Sequence, residues 1–194
     1  MHQALAECGR RLGPVELLVA NAGVSVMTEV ERFDAARVED VMRVNFLGAV
    51  YAVEAVLPGM LARGHGHLVA VGSLTGYGGL PRTAAYSASK AALHRFFESL
   101  RVDLRGTGVA VTVITPGYVD TPLTSRNLHR MPFLLSEAEA VRRMMRAIRR
   151  RDRLAAFPFP LAALVRVAQI LPSGIYDALA SRVKREKRRD PDQG

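Results

Sequence analysis

Residues 66–117 read GHLVAVGSLTGYGGLPRTAAYSASKAALHRFFESLRVDLRGTGVAVTVITPG. Two apolar runs stand at the ends of this stretch, His67-Leu68-Val69-Ala70-Val71 and Val109-Ala110-Val111-Thr112-Val113-Ile114. The second is β-branched along most of its length, which favours a strand. Between them, residues 84–105 form a helical segment that stops at Gly106-Thr107-Gly108. Strand, helix and strand in this order predict a parallel pair joined by a crossover. Neither strand alternates polar with apolar residues, so both faces are expected to be covered.

The same alternation extends outward. Upstream, Val15-Glu16-Leu17-Leu18-Val19-Ala20 is a short apolar run that ends in Asn21-Ala22-Gly23. Residues 34–62 follow as a helix, with Val38, Val41, Met42 and Phe46 at three- and four-residue spacing, and Gly64-His65-Gly66 closes it. Downstream come an irregular segment to about residue 135, a basic helix over 136–150, a strand over 154–157 and an apolar tail punctuated by prolines. The class is α/β, with a parallel sheet covered on both faces. Sheets of this kind bind ligands beyond the carboxyl ends of their strands, here the loops that begin at Asn21, Gly72 and Thr115.

Composition narrows the class further. A chain of 194 residues, 49% hydrophobic and 23% charged, suits one globular domain. Cys8 is the only cysteine, which excludes an internal disulfide and a cysteine-rich zinc site. No metal is expected, and a reducing, cytoplasmic setting is. The net charge of +9 is local: residues 142–189 hold 14 Lys and Arg against Asp152, Asp177 and Glu186, and the rest of the chain holds 13 basic and 15 acidic residues. Aromatic residues do not interleave with the basic ones, so a nucleic-acid partner is not expected. No stretch reads as a membrane span, because Pro158, Pro160, Arg166 and Gln169 interrupt the most apolar region, 154–171. Leu161, Leu164, Val165, Ala168 and Leu171 recur at helical spacing with basic residues on either side. That stripe either packs over a substrate pocket or makes peripheral contact with an anionic membrane.

The chemistry-bearing residues are Tyr86 and Lys90, four apart in Tyr86-Ser87-Ala88-Ser89-Lys90 and therefore one turn from each other on a helix. An ammonium near a phenol favours the phenolate, lowering a pKa that starts near ~10. A tyrosine tuned this way exchanges a proton with a hydroxyl or carbonyl oxygen. Ser73, at the end of the preceding strand, could hydrogen-bond that same oxygen.

Taken together and in this order, these segments resemble the short-chain dehydrogenase/reductase family, over about residues 12–150. Asn21-Ala22-Gly23 resembles the family's strand-end motif beside the cofactor. Asn45, within Arg43-Val44-Asn45-Phe46-Leu47-Gly48, resembles the helix asparagine that holds a proton-relay water. Ser73, Tyr86 and Lys90 match the active-site serine, tyrosine and lysine. Pro116-Gly117-Tyr118-Val119-Asp120-Thr121 resembles the Pro-Gly-x-Val-x-Thr segment next to the nicotinamide. The resemblance implies a Rossmann-like, doubly wound sheet in three αβα layers, a cofactor that is NAD or NADP, and an alcohol or ketone as substrate. It makes Tyr86 the acid/base. Lys90 lowers its pKa and grips the ribose, Ser73 orients the substrate oxygen, and Asn45 links Lys90 to solvent. Asn21, Ala22, Gly23, Asn45, Tyr86, Lys90, Pro116, Gly117, Val119 and Thr121 are the implied cofactor contacts.

Family members begin with a strand, a Gly-rich turn and a helix that receives the pyrophosphate, and this sequence has no such segment before Asn21. The expectation is an N-terminally truncated member lacking its first strands, with an open edge at residues 15–20. Gly72-Ser73-Leu74-Thr75-Gly76-Tyr77-Gly78-Gly79 imitates the phosphate turn, but Leu80-Pro81-Arg82 separates it from its helix, and the motif is rejected. The domains are expected at 1–157, catalytic, and 158–194, an apolar and then basic tail. The resemblance implies that residues 118–135 form a lid; they include apolar Leu123, Met131, Phe133, Leu134 and Leu135, and with Leu80 and Pro81 near Tyr86 they suggest a lipophilic substrate. Homo-oligomerisation is expected. An oxidoreductase, a non-catalytic fragment that pairs with another chain and a basic surface-binding module stand as alternatives. The position that separates NAD from NADP does not lie in these residues.

Overall fold

A computed structural model describes residues 7, 9–124 and 131–183. Four strands lie side by side in chain order, all parallel: β1 (Leu17–Ala20), β2 (Gly66–Val71), β3 (Val109–Pro116) and β4 (Leu154–Phe157). A helix joins each pair: α1 (Ala35–Arg63), α2 (Ala84–Asp103) and α3 (Glu137–Arg150). The register sets Leu18 beside Leu68, Val69 beside Thr112 and Ile114 beside Ala155.

Side chains of one strand serve two cores, which explains the unbroken apolar runs. On one face Leu68, Ala70, Val111 and Val113 meet Val53 and Met60 of α1 and Leu93 and Phe97 of α2. On the other, Val69, Ile114 and Phe157 meet Ala140, Met144 and Ile148 of α3. The architecture is therefore a three-layer αβα sandwich around a parallel sheet. Leu17 and Val19 of β1 alternate with Leu18 and Ala20, and lie beside His67 and Val69 in the register. Leu18 and Ala20 pack under α1, whereas Leu17 and Val19 are 44% and 42% exposed.

Helix ends follow their side chains. Asp34 accepts a hydrogen bond from the Ala36 N–H at the start of α1, and Ser136 accepts one from Glu139 N–H at the start of α3. Gly64, left-handed at φ +67°, ends α1. A Cβ at Gly108 would lie 1.8 Å from the Gly64 carbonyl oxygen, so this close approach of the α1 end to the β3 start requires glycine. By length and composition alone α1 is apolar enough to cross a membrane, which the sequence reading did not register. Here its Ala49, Val53, Val56 and Met60 are core residues under the sheet.

Beyond β4 the chain forms α4 (Phe159–Ala168) and α5 (Ser173–Ala180). Leu161 and Ala162 of α4 are buried against Leu74. Cys8, the middle of the expected lid (125–130) and the end of the expected basic tail (184–194) lie outside the described residues.

Candidate active site

The site gathers at the carboxyl ends of β2 and β3. Ser73 follows β2, and its Oγ accepts from the Thr75 N–H at 3.2 Å and from the Thr75 hydroxyl at 2.9 Å. These bonds start a short 3₁₀ turn, Leu74–Gly76. Gly76 lies flat on α2, where a Cβ would come within 3.0 Å of the Lys90 carbonyl carbon. The loop then runs to Thr83, whose hydroxyl donates to Leu80 O at 2.7 Å and lies 2.8 Å from Ser87 Oγ. A hydroxyl from a distant loop also caps α2: Thr28 Oγ1 accepts from Ala85 N–H at 3.2 Å.

Tyr86 occupies the first turn of α2, half-buried, and Lys90 the second, 4% exposed. The Lys90 ammonium donates to the Val71 carbonyl at 2.9 Å and sits 5.9 Å from the centre of the Tyr86 ring. Burial pushes it down from its ordinary 10.5 to about 8, because a charged amine out of water is disfavoured.

Asn45 lies in a π turn, Arg43–Leu47, inside α1, and is 1% exposed. Widened turns of this kind shift the helix bonding and recur at functional sites. Its Oδ1 accepts from Val24 N–H at 2.7 Å, and its Nδ2 donates to Val24 O and to Ser89 Oγ, both at 2.9 Å. Ser89 in turn donates to the Tyr86 carbonyl at 2.8 Å. The amide thus clasps the segment after Asn21-Ala22-Gly23 to the helix turn that carries Tyr86. Both amide hydrogens are taken by protein groups, so the side chain acts as a clasp. A Cβ at Gly23 would meet Lys90 Nζ at 3.3 Å and Asn45 Oδ1 at 3.5 Å. Gly23, Asn45 and Lys90 therefore adjoin.

A cavity of about 670 Å³ opens in front of these groups. Ser73, Tyr86 and Gly117 line it, as do Ser25, Tyr118 and Thr124. Leu161, Leu164, Val165 and Ala168 of α4 with Tyr176 and Leu179 of α5 form its apolar wall. The apolar stripe of the tail thus faces the cavity, and Leu171 lies beyond the end of α4. Of the expected lid, Leu123 lines the cavity, and so does Leu80 from the loop before Tyr86. Leu135 instead packs into the α3 core, bonded through its backbone to Tyr118 and Asp120. Phe133 and Leu134 are exposed.

Of the remaining residues singled out in the sequence, Asn21, Ala22, Gly23, Pro116, Val119 and Thr121 do not line the cavity. Asn21, Ala22 and Gly23 follow β1 and are exposed. Pro116 ends β3, and Gly117 N–H donates to Phe157 O at 2.7 Å. Val119 bridges to Leu135. Thr121 forms a turn with Thr124, its N–H donating to the Thr124 hydroxyl at 2.9 Å. Sequence reasoning missed Val24, Ser89 and the Val71 carbonyl, because each matters only through a partner distant in the chain. It also missed Tyr176, whose position in an apolar helix gives no local signal.

The sequence profile of the short chain dehydrogenases matches residues 1–131. The chain belongs to that family. An uncharacterized oxidoreductase of Myxococcus xanthus is 49% identical over 172 residues, covering 89% of this chain and 68% of the relative. An uncharacterized oxidoreductase of Staphylococcus saprophyticus is 39% identical over 114 residues, 59% of this chain and 49% of that one. The chain thus spans 68% of the first relative's length and 49% of the second's. Among solved structures, a short chain dehydrogenase from Burkholderia cenocepacia in complex with NADP superposes with a TM-score of 0.77. It is 27% identical, and the match covers 94% of this chain and 76% of that one.

Proposed function

We propose that this short-chain dehydrogenase interconverts an alcohol and a carbonyl on a lipophilic substrate with NAD or NADP. The observation that carries the reading is the meeting of Ser73 and Tyr86 on one largely apolar cavity, with the Lys90 ammonium held behind Tyr86 by the Val71 carbonyl. Apolar walls fit a hydrocarbon body, and the hydroxyls of Ser73 and Tyr86 in the lining suit a reacting oxygen.

The residues present fit the nicotinamide half of such a cofactor. Gly23 keeps open a surface beside Lys90 Nζ and Asn45 that any side chain would fill. Lys90 makes one hydrogen bond among the described residues, which leaves two ammonium hydrogens for ribose hydroxyls. When bound, the nicotinamide supplies or accepts the hydride. Tyr86 then takes the proton from the substrate hydroxyl during oxidation and returns it to the oxygen during reduction. Lys90 favours the phenolate through its charge, Ser73 orients the oxygen, and Asn45 fixes the turn on which Tyr86 stands.

The test is turnover of a long-chain secondary alcohol, followed by nicotinamide absorbance. Tyr86→Phe deletes one oxygen and is expected to lower the rate by about 10²–10⁴ while the thermal midpoint stays put. Lys90→Ala is expected to raise the pH at which oxidation becomes fast. A Tyr86→Phe protein that kept most of its activity would remove Tyr86 as the acid/base.

A further inference from the structure

The loop between Ser73 and Tyr86 is tied down at both ends, through Gly76 against Lys90 and through Thr83. Its middle, Gly78-Gly79, belongs to no helix or strand. There the phenol of Tyr176, 97 residues away on α5, donates to the Gly79 carbonyl at 2.7 Å. The fit is close: a Cβ at Gly78 would come within 2.5 Å of the Tyr176 oxygen. Tyr176 also forms part of the cavity wall, with Leu80 on the loop side and Leu179 on its own helix.

Little else holds the cover in place. The helices α4 and α5 have 10 and 8 residues, lengths that are marginal without tertiary support. Leu161 and Ala162 anchor the start of α4 against Leu74. Arg166 extends the contact, its guanidinium 5.6 Å from the centre of the Tyr77 ring. For α5, the Tyr176–Gly79 bond is the side-chain hydrogen bond to the rest of the chain among the described residues. Burial and the neighbouring Asp177 push the Tyr176 phenol up, so it stays protonated and remains a donor at neutral pH.

We infer that Tyr176 is a positioning and specificity-determining residue: it latches α5 onto the loop between Ser73 and Tyr86 and so closes the cavity around the hydrocarbon part of the substrate. The inference rests on the proposed carbonyl–alcohol reading for the nature of the ligand. The latch itself is a property of the chain. Its effect is expected to grow with the length of the ligand's chain, because a longer chain covers more of the apolar wall that α4 and α5 supply.

Binding of two ketones, measured by calorimetry, tests it without turnover. Tyr176→Phe keeps the ring and removes the donor, and is expected to weaken methyl octyl ketone about five- to tenfold and methyl butyl ketone by no more than about twofold. Gly78→Ala pushes against the same oxygen and is expected to reproduce the effect. Because both variants break one contact, the double variant should lose little more than either single one. Equal weakening of both ketones, unchanged binding in Tyr176→Phe, additive losses or a wild-type protein that binds neither ketone would each overturn the latch. Ketone binding that depends on Tyr176 in a protein that never reduces the ketone would sink the oxidoreductase reading and leave the latch standing.

Discussion

Lys90, the proposed partner of the phenolate and the ribose, works against stability. The ammonium is buried under the loop with one carbonyl as its partner, and its pKa falls to about 8 from 10.5. Between these values the unfolded chain binds a proton that the folded chain has released, so stability rises with pH through this window. Below about pH 8 the folded state carries the full penalty of the buried charge. Lys90→Met is therefore expected to raise the thermal midpoint at pH 7 by a few degrees while abolishing activity. That margin should shrink as pH rises from about 8 toward 10, read by calorimetric scans in a pH series. A variant equally or less stable at pH 7 would show that the Val71 bond outweighs desolvation.

At the scale of elements, the π turn in α1 and the first turns of α2 behave as one unit. Asn45 joins them, through Val24 on one side and through Ser89 to the Tyr86 carbonyl on the other. Asn45→Ala would leave the Val24 N–H and carbonyl unpaired in a part-buried place, at a cost of about 2–3 kcal/mol. The expected signs are a lower thermal midpoint and faster hydrogen exchange at the Val24 and Ser89 amides, with the amides of β3 unchanged. Exchange that quickened uniformly through the sheet would mean that Asn45 supports the whole fold and not this junction. The element boundaries were legible where side chains set them: Asp34, Ser136 and Gly64 mark helix ends in the sequence and in the structure alike. The π turn was not legible, since Arg43-Val44-Asn45-Phe46-Leu47 has an ordinary helical composition.

For the whole molecule, the outer edge of β1 is the conspicuous surface. No strand pairs with it among the described residues, and Leu17 and Val19 lie on the same face as Val69 but outside the core that α3 covers there. Open apolar strand edges recruit other strands. The 194-residue chain is expected to associate reversibly with rising concentration in sedimentation velocity, and Leu17→Lys with Val19→Lys to shift it toward monomer. A chain that stayed monomeric across the series would show that this edge is not a contact surface. The same uneven cover explains the tail: Leu161, Val165 and Ala168 face the cavity, while Phe159, Val167 and Ile170 remain exposed.

By itself the sequence determined the layered parallel sheet, because a strand buried on both faces must be apolar throughout and a crossover must be helical between such strands. It also determined which chemical groups are present, since Tyr86 and Lys90 reach one face through helix periodicity and Ser73 through its place at a strand end. Three matters waited for the tertiary structure. Asn45 became a clasp once Val24 and Ser89 were brought to it. Leu135 left the lid for the α3 core, because the backbone of Tyr118 and Asp120 captured it. Tyr176 became a wall and a latch because α5 folds back over a loop 97 residues away. Periodicity reports a residue's relation to its near neighbours; a hydrogen bond across 97 residues depends on where two elements dock, and no local pattern encodes that.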